Sequence, residues 1–140
     1  YFTEISGAEA PRDELLSLLA AAGLPKDAAE RSVRGYSKGM RQKVGVAIAL
    51  ARRAQALVLD EPTSGLDPLA ANEFAALIER LRKEGMAVLM VTHDLFLAKQ
   101  CGTKIGIMAQ GRLASVFGAD DVDHLGLERA YLDLFASAAA

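Results

Sequence analysis

The segment that most constrains the fold is a short apolar run that ends in two adjacent acids. Residues Leu57-Val58-Leu59 are followed directly by Asp60 and Glu61. Such a run predicts a strand of a parallel sheet that is covered on both faces. Ligands of these sheets collect at the carboxyl ends of the strands, so we expect both acids to lie at a ligand site. Because unpaired buried carboxylates are costly, the pair favours a bound cation or a proton.

Three other segments stand at informative distances from these acids. Upstream, Tyr36-Ser37-Lys38-Gly39-Met40-Arg41-Gln42 opens a predicted helix, and Ser64-Gly65-Leu66-Asp67 follows the acids closely. Downstream, a second apolar strand ends in Thr92-His93-Asp94. In this order and spacing the chain resembles the ATP-binding cassette (ABC) ATPases over nearly its whole length. The resemblance implies an α/β fold, a partial P-loop NTPase (RecA-like) parallel sheet with the helical subdomain of that family.

The resemblance also implies roles for the residues after the two strands. Asp60 matches the carboxylate of the family's Walker B strand that holds Mg²⁺, which typically keeps several waters and one or two carboxylates. Glu61 matches the acid that polarises the attacking water, a positioning role on which phosphoryl transfer depends. His93 matches the switch histidine, expected to hydrogen-bond the γ-phosphate and link it to Glu61. ATP and Mg²⁺ are therefore the expected substrate and cofactor.

The segment around Ser37 resembles the family's signature loop, which contacts the ATP held by the opposite subunit. Ser37 is a good N-cap, and free N–H groups at a helix start attract phosphate. Gly39 permits close approach of the backbone to a ligand, and Lys38 either adds a cation near the γ-phosphate or points to solvent. Asp67 caps the next helix and belongs to the D-loop, which crosses the dimer interface in this family.

Three positions depart from the commonest signature pattern, Leu-Ser-Gly-Gly-Gln. Tyr36 stands for Leu, Lys38 for the first Gly and Met40 for Gln. Met40 lacks the hydrogen-bond donor that a glutamine carries. The Tyr-Ser-x-Gly-Met-Arg-Gln form resembles exporter-type cassettes more than sugar or amino-acid importers.

A phosphate-binding Gly-x-x-x-x-Gly-Lys-Ser/Thr loop does not occur in the 140 residues. That loop wraps backbone N–H groups around nucleotide phosphates. In the ABC family this Walker A loop and a glutamine-bearing Q-loop precede the signature loop. We therefore expect the C-terminal part of a nucleotide-binding domain, without its central Walker A strand. We expect the chain alone to bind MgATP weakly, to be inactive, and to self-associate or domain-swap through unpaired strand edges.

The chain divides by pattern into two predicted parts. Residues 1–54 are expected to hold the helical subdomain and signature helix, and residues 55–140 the C-terminal half of the ATPase core. A helix end is expected at residues 1–7, and helices start at Pro11, at Ser37 and after Asp67. A hairpin is predicted around Gln110-Gly111, followed by a last helix.

Composition limits the possible functions. The net charge of −2 gives no electrostatic footprint for nucleic acid, and no apolar run reaches the ~18 residues of a spanning helix. The single Cys101 cannot form an internal disulfide and fits a reducing compartment. We interpret His124 as a surface residue. The basic residues near the signature helix are expected to form a solvated face: Arg41, Lys43, Arg52 and Arg53.

The resemblance implies the ATPase subunit of an ABC transporter. Its expected partners are a transmembrane permease subunit and a second nucleotide-binding domain, most simply in a homodimer at the cytoplasmic face of the membrane. Two alternatives remain open at this point. One is a soluble ABC ATPase that acts on ribosomes or DNA, and the other is a non-catalytic interaction module derived from a cassette.

Overall fold

The computed structural model describes residues 11–137, in two compact units that divide after Val91. The helix end predicted at residues 1–7 lies outside the described residues. The predicted division between residues 54 and 55 stays a prediction. No helix in the described residues is long and apolar enough to cross a membrane.

The first unit alternates helices with two short strands. A proline, Pro11 or Pro25, directly precedes each of the first two helices. An N–H at that position would make no intrahelical hydrogen bond, so its absence from proline costs nothing. In chain order the elements are α1 (Arg12–Ala21), α2 (Lys26–Ala29), a 3₁₀ turn (Val33–Gly35), α3 (Lys38–Ala51), β1 (Ala56–Asp60), α4 (Pro68–Lys83) and β2 (Ala87–Val91).

The helices before β1 share a small core. Leu24, Ala28 and Tyr36 are buried together, and Met40 and Val44 of α3 pack against them. The Tyr36 hydroxyl donates to the Ala28 carbonyl at 2.6 Å, so its polar end is satisfied inside the cluster. This core fixes the segment that leads into α3.

The two strands β1 and β2 pair in parallel, with Leu57 opposite Val88 and Asp60 opposite Val91. Burial alternates along β1: Leu57 is buried, whereas Val58 is 77% exposed. On β2, Leu89 and Val91 are exposed as well. The expectation that both sheet faces are covered is therefore wrong for the described residues. Helix α4 packs against β2 and covers one face; on the other face, Val58, Leu89 and Val91 are exposed among the described residues.

Lys43 of α3 also departs from expectation, because it does not lie on a solvated face. Only 11% of its side chain is exposed, and its Nζ lies 2.6 Å from Glu73 Oε2 on α4. Its stem runs past the turn at Gly23, where a Cβ would lie 3.7 Å from Lys43 Cε. The apolar stem is thus buried while the ammonium reaches a carboxylate, a common arrangement for lysine. Arg41, Arg52 and Arg53 are exposed or largely so.

The second unit is built around a hairpin. Gln110 (φ 49°) and Gly111 (φ 74°) both adopt the left-handed conformation that a two-residue hairpin turn requires, which confirms the predicted turn. Ile105 and Ile107 pack with the fully buried Leu127 of the last helix. The elements are α5 (Leu95–Cys101), β3 (Lys104–Ala109), β4 (Arg112–Gly118), a 3₁₀ turn (Ala119–Asp121) and α6 (His124–Ser137).

Candidate functional site

The start of α3 is a capped helix N-terminus. Ser37 is the N-cap, and its Oγ accepts a hydrogen bond from the Met40 N–H at 3.2 Å. The first intrahelical bond runs from the Arg41 N–H to the Ser37 carbonyl. The N–H groups of Lys38 and Gly39 precede that bond and have no acceptor within the helix. The predicted cap is confirmed, and it leaves two backbone donors where an anion would be attracted.

The side chains at this helix start face the loop after β1. The Lys38 ammonium donates to the Ser64 carbonyl. Gly39 is buried, and a Cβ there would lie 3.6 Å from both Leu66 Cδ2 and Ala70 Cβ. A methyl group would therefore fit there in ordinary van der Waals contact, and the bare face of Gly39 is directed toward the loop after β1 and the first turn of α4. Lys38, whose two predicted orientations were the γ-phosphate or solvent, is exposed, and its ammonium is hydrogen-bonded within its own chain.

Two residues that depart from the common signature pattern have structural roles. Tyr36 anchors the helical core through its hydroxyl, and Met40 packs into the same cluster. Arg41, on the first turn, donates back to the Tyr36 carbonyl. These side chains therefore support the helix start from behind. Sequence reasoning missed this, because nothing in the pattern shows that positions 36 and 40 point toward the core.

The two acids after β1 have different environments. Asp60 is the last residue of the strand and is exposed, on the same sheet face as its partner Val91. Glu61 is half-buried, and its N–H donates to the Val91 carbonyl at 2.9 Å. Its φ of 45° lies in the left-handed region, which costs a residue with a side chain about 1–3 kcal/mol. The chain therefore leaves the extended conformation of the strand at Glu61.

The loop after Glu61 is a series of tight turns that ends in a helix cap. The Ser64 N–H donates to the Glu61 carbonyl at 3.2 Å, and the Leu66 N–H to the Thr63 carbonyl at 3.0 Å. Asp67 Oδ1 then accepts from the Ala70 N–H at 3.0 Å, with proline in the first turn of α4. The predicted cap at Asp67 is confirmed.

His93 lies in the second unit, directly before α5, and is exposed. Its neighbours build the turn: the Asp94 N–H donates to Thr92 Oγ1, and Asp94 Oδ1 accepts from the Leu97 N–H, each at 3.0 Å. Asp94 is thus the N-cap of α5. The other histidine, His124, is exposed and stacks on Phe96 with ring centroids 5.0 Å apart.

The donor set can be compared with what Mg²⁺ requires. In the described part of the chain no group of three or more His, Cys, Asp or Glu side chains is placed to hold a metal ion. A cage made of protein ligands alone is therefore not present there. Mg²⁺ bound with a nucleotide needs only one or two carboxylates, because phosphates and waters complete its shell. The exposed carboxylate of Asp60 fits that kind of site.

Comparison with known sequences gives a consistent set of relatives. The family described as "AAA domain, putative AbiEii toxin, Type IV TA system" matches residues 10–99. A probable amino-acid ABC transporter ATP-binding protein of Haemophilus influenzae is 38% identical over 109 residues, which are 78% of this chain and 42% of that protein. The oligopeptide transport ATP-binding protein OppF of Bacillus subtilis is 37% identical over 106 residues, 75% of this chain and 35% of that protein. The chain thus spans less than half the length of these relatives.

Solved structures give the same result. The ATP-binding cassette MJ0796, in a dimeric post-hydrolysis state bound to ADP and Pi, aligns with a TM-score of 0.67 and 28% identity over 77% of this chain and 47% of that chain. The cbiO1 protein of Clostridium perfringens, part of the ABC transporter complex cbiONQ, aligns with a TM-score of 0.76 and 23% identity over 94% of this chain and 52% of that chain. These alignments confirm the predicted fold class.

Proposed function

Because this chain belongs to the AAA-domain ATPases of the ATP-binding cassette type, we propose that it is the C-terminal part of a subunit that binds and hydrolyses ATP for an ABC transporter. The observation that carries the proposal is the arrangement in the first unit. There the capped start of α3 contacts the loop of tight turns through Lys38 and Ser64. That loop in turn follows the end of β1, which carries the two acids, and is hydrogen-bonded to Glu61. A parallel strand end and a helix N-terminus are the two fold features that most often hold phosphate ligands.

Asp60 and Glu61 divide the chemistry at the strand end. Asp60 would hold Mg²⁺, which neutralises charge on the phosphates when it is bound. Glu61 would accept a hydrogen bond from the attacking water and orient it. Its strained backbone supports this role, since left-handed residues with side chains persist where their surroundings hold them and concentrate at functional sites. A water oriented in this way loses less entropy in the reaction.

The remaining site residues would act on the nucleotide from two directions. The N–H groups of Lys38 and Gly39, with Ser37 as their cap, would face the γ-phosphate of ATP held by a second cassette. Asp67 would lie at the interface between the two cassettes. His93 would hydrogen-bond the γ-phosphate as a neutral or charged imidazole. A homodimer would then carry two equivalent ATP sites.

The assembly would couple ATP hydrolysis to a transmembrane permease at the cytoplasmic face of the membrane. The relatives are named as ATP-binding proteins of amino-acid transport, oligopeptide transport and fluoroquinolone export.

The substitution Glu61→Gln, made in the full-length protein, tests the proposed role of Glu61 in ATP hydrolysis. The amide keeps the shape and removes the charge, so we expect ATP binding to persist and turnover to fall by about 10²–10⁴-fold. Glu14→Gln, an exposed glutamate on α1, is the matched control and should leave turnover unchanged. Turnover by Glu61→Gln at the rate of the unchanged protein would overturn the assignment.

The 140 residues alone should behave differently. Lacking a phosphate-binding loop, the chain should bind MgATP weakly and not hydrolyse it. It should also self-associate, because the uncovered sheet face carries Val58, Leu89 and Val91, each more than half exposed. Light scattering should detect oligomers that Val58→Lys weakens and Val33→Lys, at an exposed valine in the 3₁₀ turn, does not. A monomer at all concentrations, or ATP turnover by this chain, would contradict the respective expectation.

A further inference from the structure

The contact between Lys38 and the loop after β1 was not foreseen from the sequence. Lys38 is the first residue of α3, yet its ammonium reaches the main-chain carbonyl of Ser64. An ammonium is a three-donor cation, and its hydrogen bond to a carbonyl is charge-assisted. The side chain therefore joins two segments that are distant in sequence at one main-chain acceptor.

The acceptor lies at a point where the loop depends on a special backbone conformation. Gly65 follows Ser64 with φ at +68°, a conformation that favours glycine. A Cβ at position 65 would lie 3.5 Å from Lys38 Nζ. Glycine thus lets the loop turn, and a Cβ in its place would be in ordinary van der Waals contact with the ammonium.

The same two segments also face each other at an apolar position. The buried Gly39 is directed toward Leu66 and Ala70, and a Cβ added there would lie 3.6 Å from each side chain. An apolar contact excludes water but does not fix the loop along its length, since the Leu66 side chain can adopt other rotamers. The hydrogen bond from Lys38 supplies the directional restraint that the apolar contact lacks.

The loop is continuous with the turn that carries Glu61. The Ser64 N–H donates to the Glu61 carbonyl, so the residue whose carbonyl Lys38 holds is hydrogen-bonded to Glu61 through its own N–H. A main-chain hydrogen bond of 3.2 Å therefore joins Ser64 to the turn at Glu61. Ser64 therefore links the two segments: its carbonyl accepts from Lys38 at the start of α3, and its N–H donates to Glu61 in the turn.

We propose that Lys38 is a positioning residue that holds the Ser64–Asp67 loop against the start of α3, so that the helix start and the Glu61 turn move as one body. The proposal rests on the proposed function for its consequence. There the helix start would face the ATP of one site and Glu61 the ATP of the other. Lys38 would then couple the geometry of the two sites within a single chain.

The first test measures the loop itself, without nucleotide. Amide hydrogen exchange at Ser64 and Leu66 is compared between the full-length protein and Lys38→Met, which keeps the length of the stem and removes the ammonium. We expect exchange about two- to fivefold faster, the factor that corresponds to the loss of one exposed charged contact. Lys38→Arg, which retains a donor, should keep the slower rate. Lys26→Met, at the first position of α2, alters the same side chain at another helix start and should change nothing.

The second test measures the consequence for turnover. Lys38→Met should lower kcat and leave the KM for ATP within about twofold, because the contact acts on geometry after the nucleotide is bound. Lys38→Arg should recover most of the loss. If Lys38 had a merely structural role, Lys38→Met would lower the urea midpoint of unfolding. It would not lower kcat at an unchanged KM, and Lys38→Arg would not restore kcat.

The two tests separate failure of this inference from failure of the proposed function. Unchanged exchange at Ser64 and Leu66 in Lys38→Met overturns the positioning role, whatever the ATPase activity. Faster exchange in a protein that does not hydrolyse ATP retains the positioning role and overturns the proposed function. Faster exchange with unchanged kcat overturns the coupling between sites. Should Lys38→Met fold poorly, Lys38→Gln removes the same charge with a polar, shorter side chain.

Discussion

The two faces of the β1–β2 sheet both carry large aliphatic side chains and differ sharply in their burial. On one face Leu57 is 8% exposed, and helix α4, whose Phe74 is 1% exposed, lies over the sheet. On the other face Val58 is 77% and Leu89 65% exposed. The difference teaches that an apolar strand sequence is suited to burial on both faces. Which face is in fact buried depends on the elements that pack over the sheet. A sheet of this sequence is suited to a second covering layer.

The largest expected effect contrasts the two faces directly. Phe74→Ala removes a fully buried ring from the covered side and should lower the free energy of unfolding by about 3–5 kcal/mol. At dilutions at which the chain is monomeric, Val58→Ala removes methyl groups that contact water, and should change it by less than about 0.5 kcal/mol. Urea unfolding monitored by circular dichroism measures both. A loss at Val58 comparable to that at Phe74 would mean that the second face is covered in solution, for example by another copy of the chain.

The sequence predicts those parts of the fold that local chemistry decides. The caps at Ser37 and Asp67 and the Gln110-Gly111 turn were all predicted, because each depends on residues within four positions of one another. The strand ending in Asp60 was likewise predicted from its apolar run and the acids that follow.

The parts that were missed depend on residues distant in the chain. The one-sided burial of the β1–β2 sheet depends on elements distant in the chain, such as α4 against β2, which the strand's own sequence does not encode. The ion pair of Lys43 with Glu73 and the contact of Lys38 with Ser64 join separate segments through long, flexible side chains. In the sequence these lysines look like any solvated lysine. The sequence shows their charge, but it does not show where their aliphatic stems pack. The roles proposed for Asp60, Glu61 and His93 remain predictions until they are tested.

An intermediate effect is expected at the ion pair between α3 and α4. Glu73→Ala leaves the ammonium of Lys43, whose side chain is only 11% exposed, without its carboxylate. A buried donor that loses its acceptor costs about 1–3 kcal/mol, and we expect the lower end because Glu73 is itself half exposed. Lys43→Met removes the charge but keeps an apolar stem and should cost less, since replacing a buried charge by an apolar group of similar volume is often close to neutral.

A larger loss of stability for Glu73→Ala than for Lys43→Met would show that the cost comes from a buried, unpaired ammonium. Equal losses for Glu73→Ala and Lys43→Met in urea unfolding would place the energy in the pair itself rather than in the buried ammonium. Arg12→Met serves as the control, because it breaks the ion pair of Arg12 with Glu30, in which both side chains are more than half exposed. Its effect should be smaller than that of Glu73→Ala.

The smallest expected effect lies on the solvent side of α4, the helix whose other side covers the sheet. Lys83 Nζ lies 2.7 Å from Glu79 Oε1, and its hydrogen bond lowers the pKa of Glu79 below the ordinary value. Because the pKa is lower in the folded than in the unfolded chain, the pair stabilises the fold above the unfolded pKa, and this stabilisation is lost as pH falls through the folded pKa. The melting temperature of Glu79→Gln should therefore lie slightly below that of the unchanged protein at neutral pH, and the two should converge in acid. A gap that widens in acid would reverse the sign of the shift, and a gap as large as that of Phe74→Ala would remove the contrast between the two sides of α4.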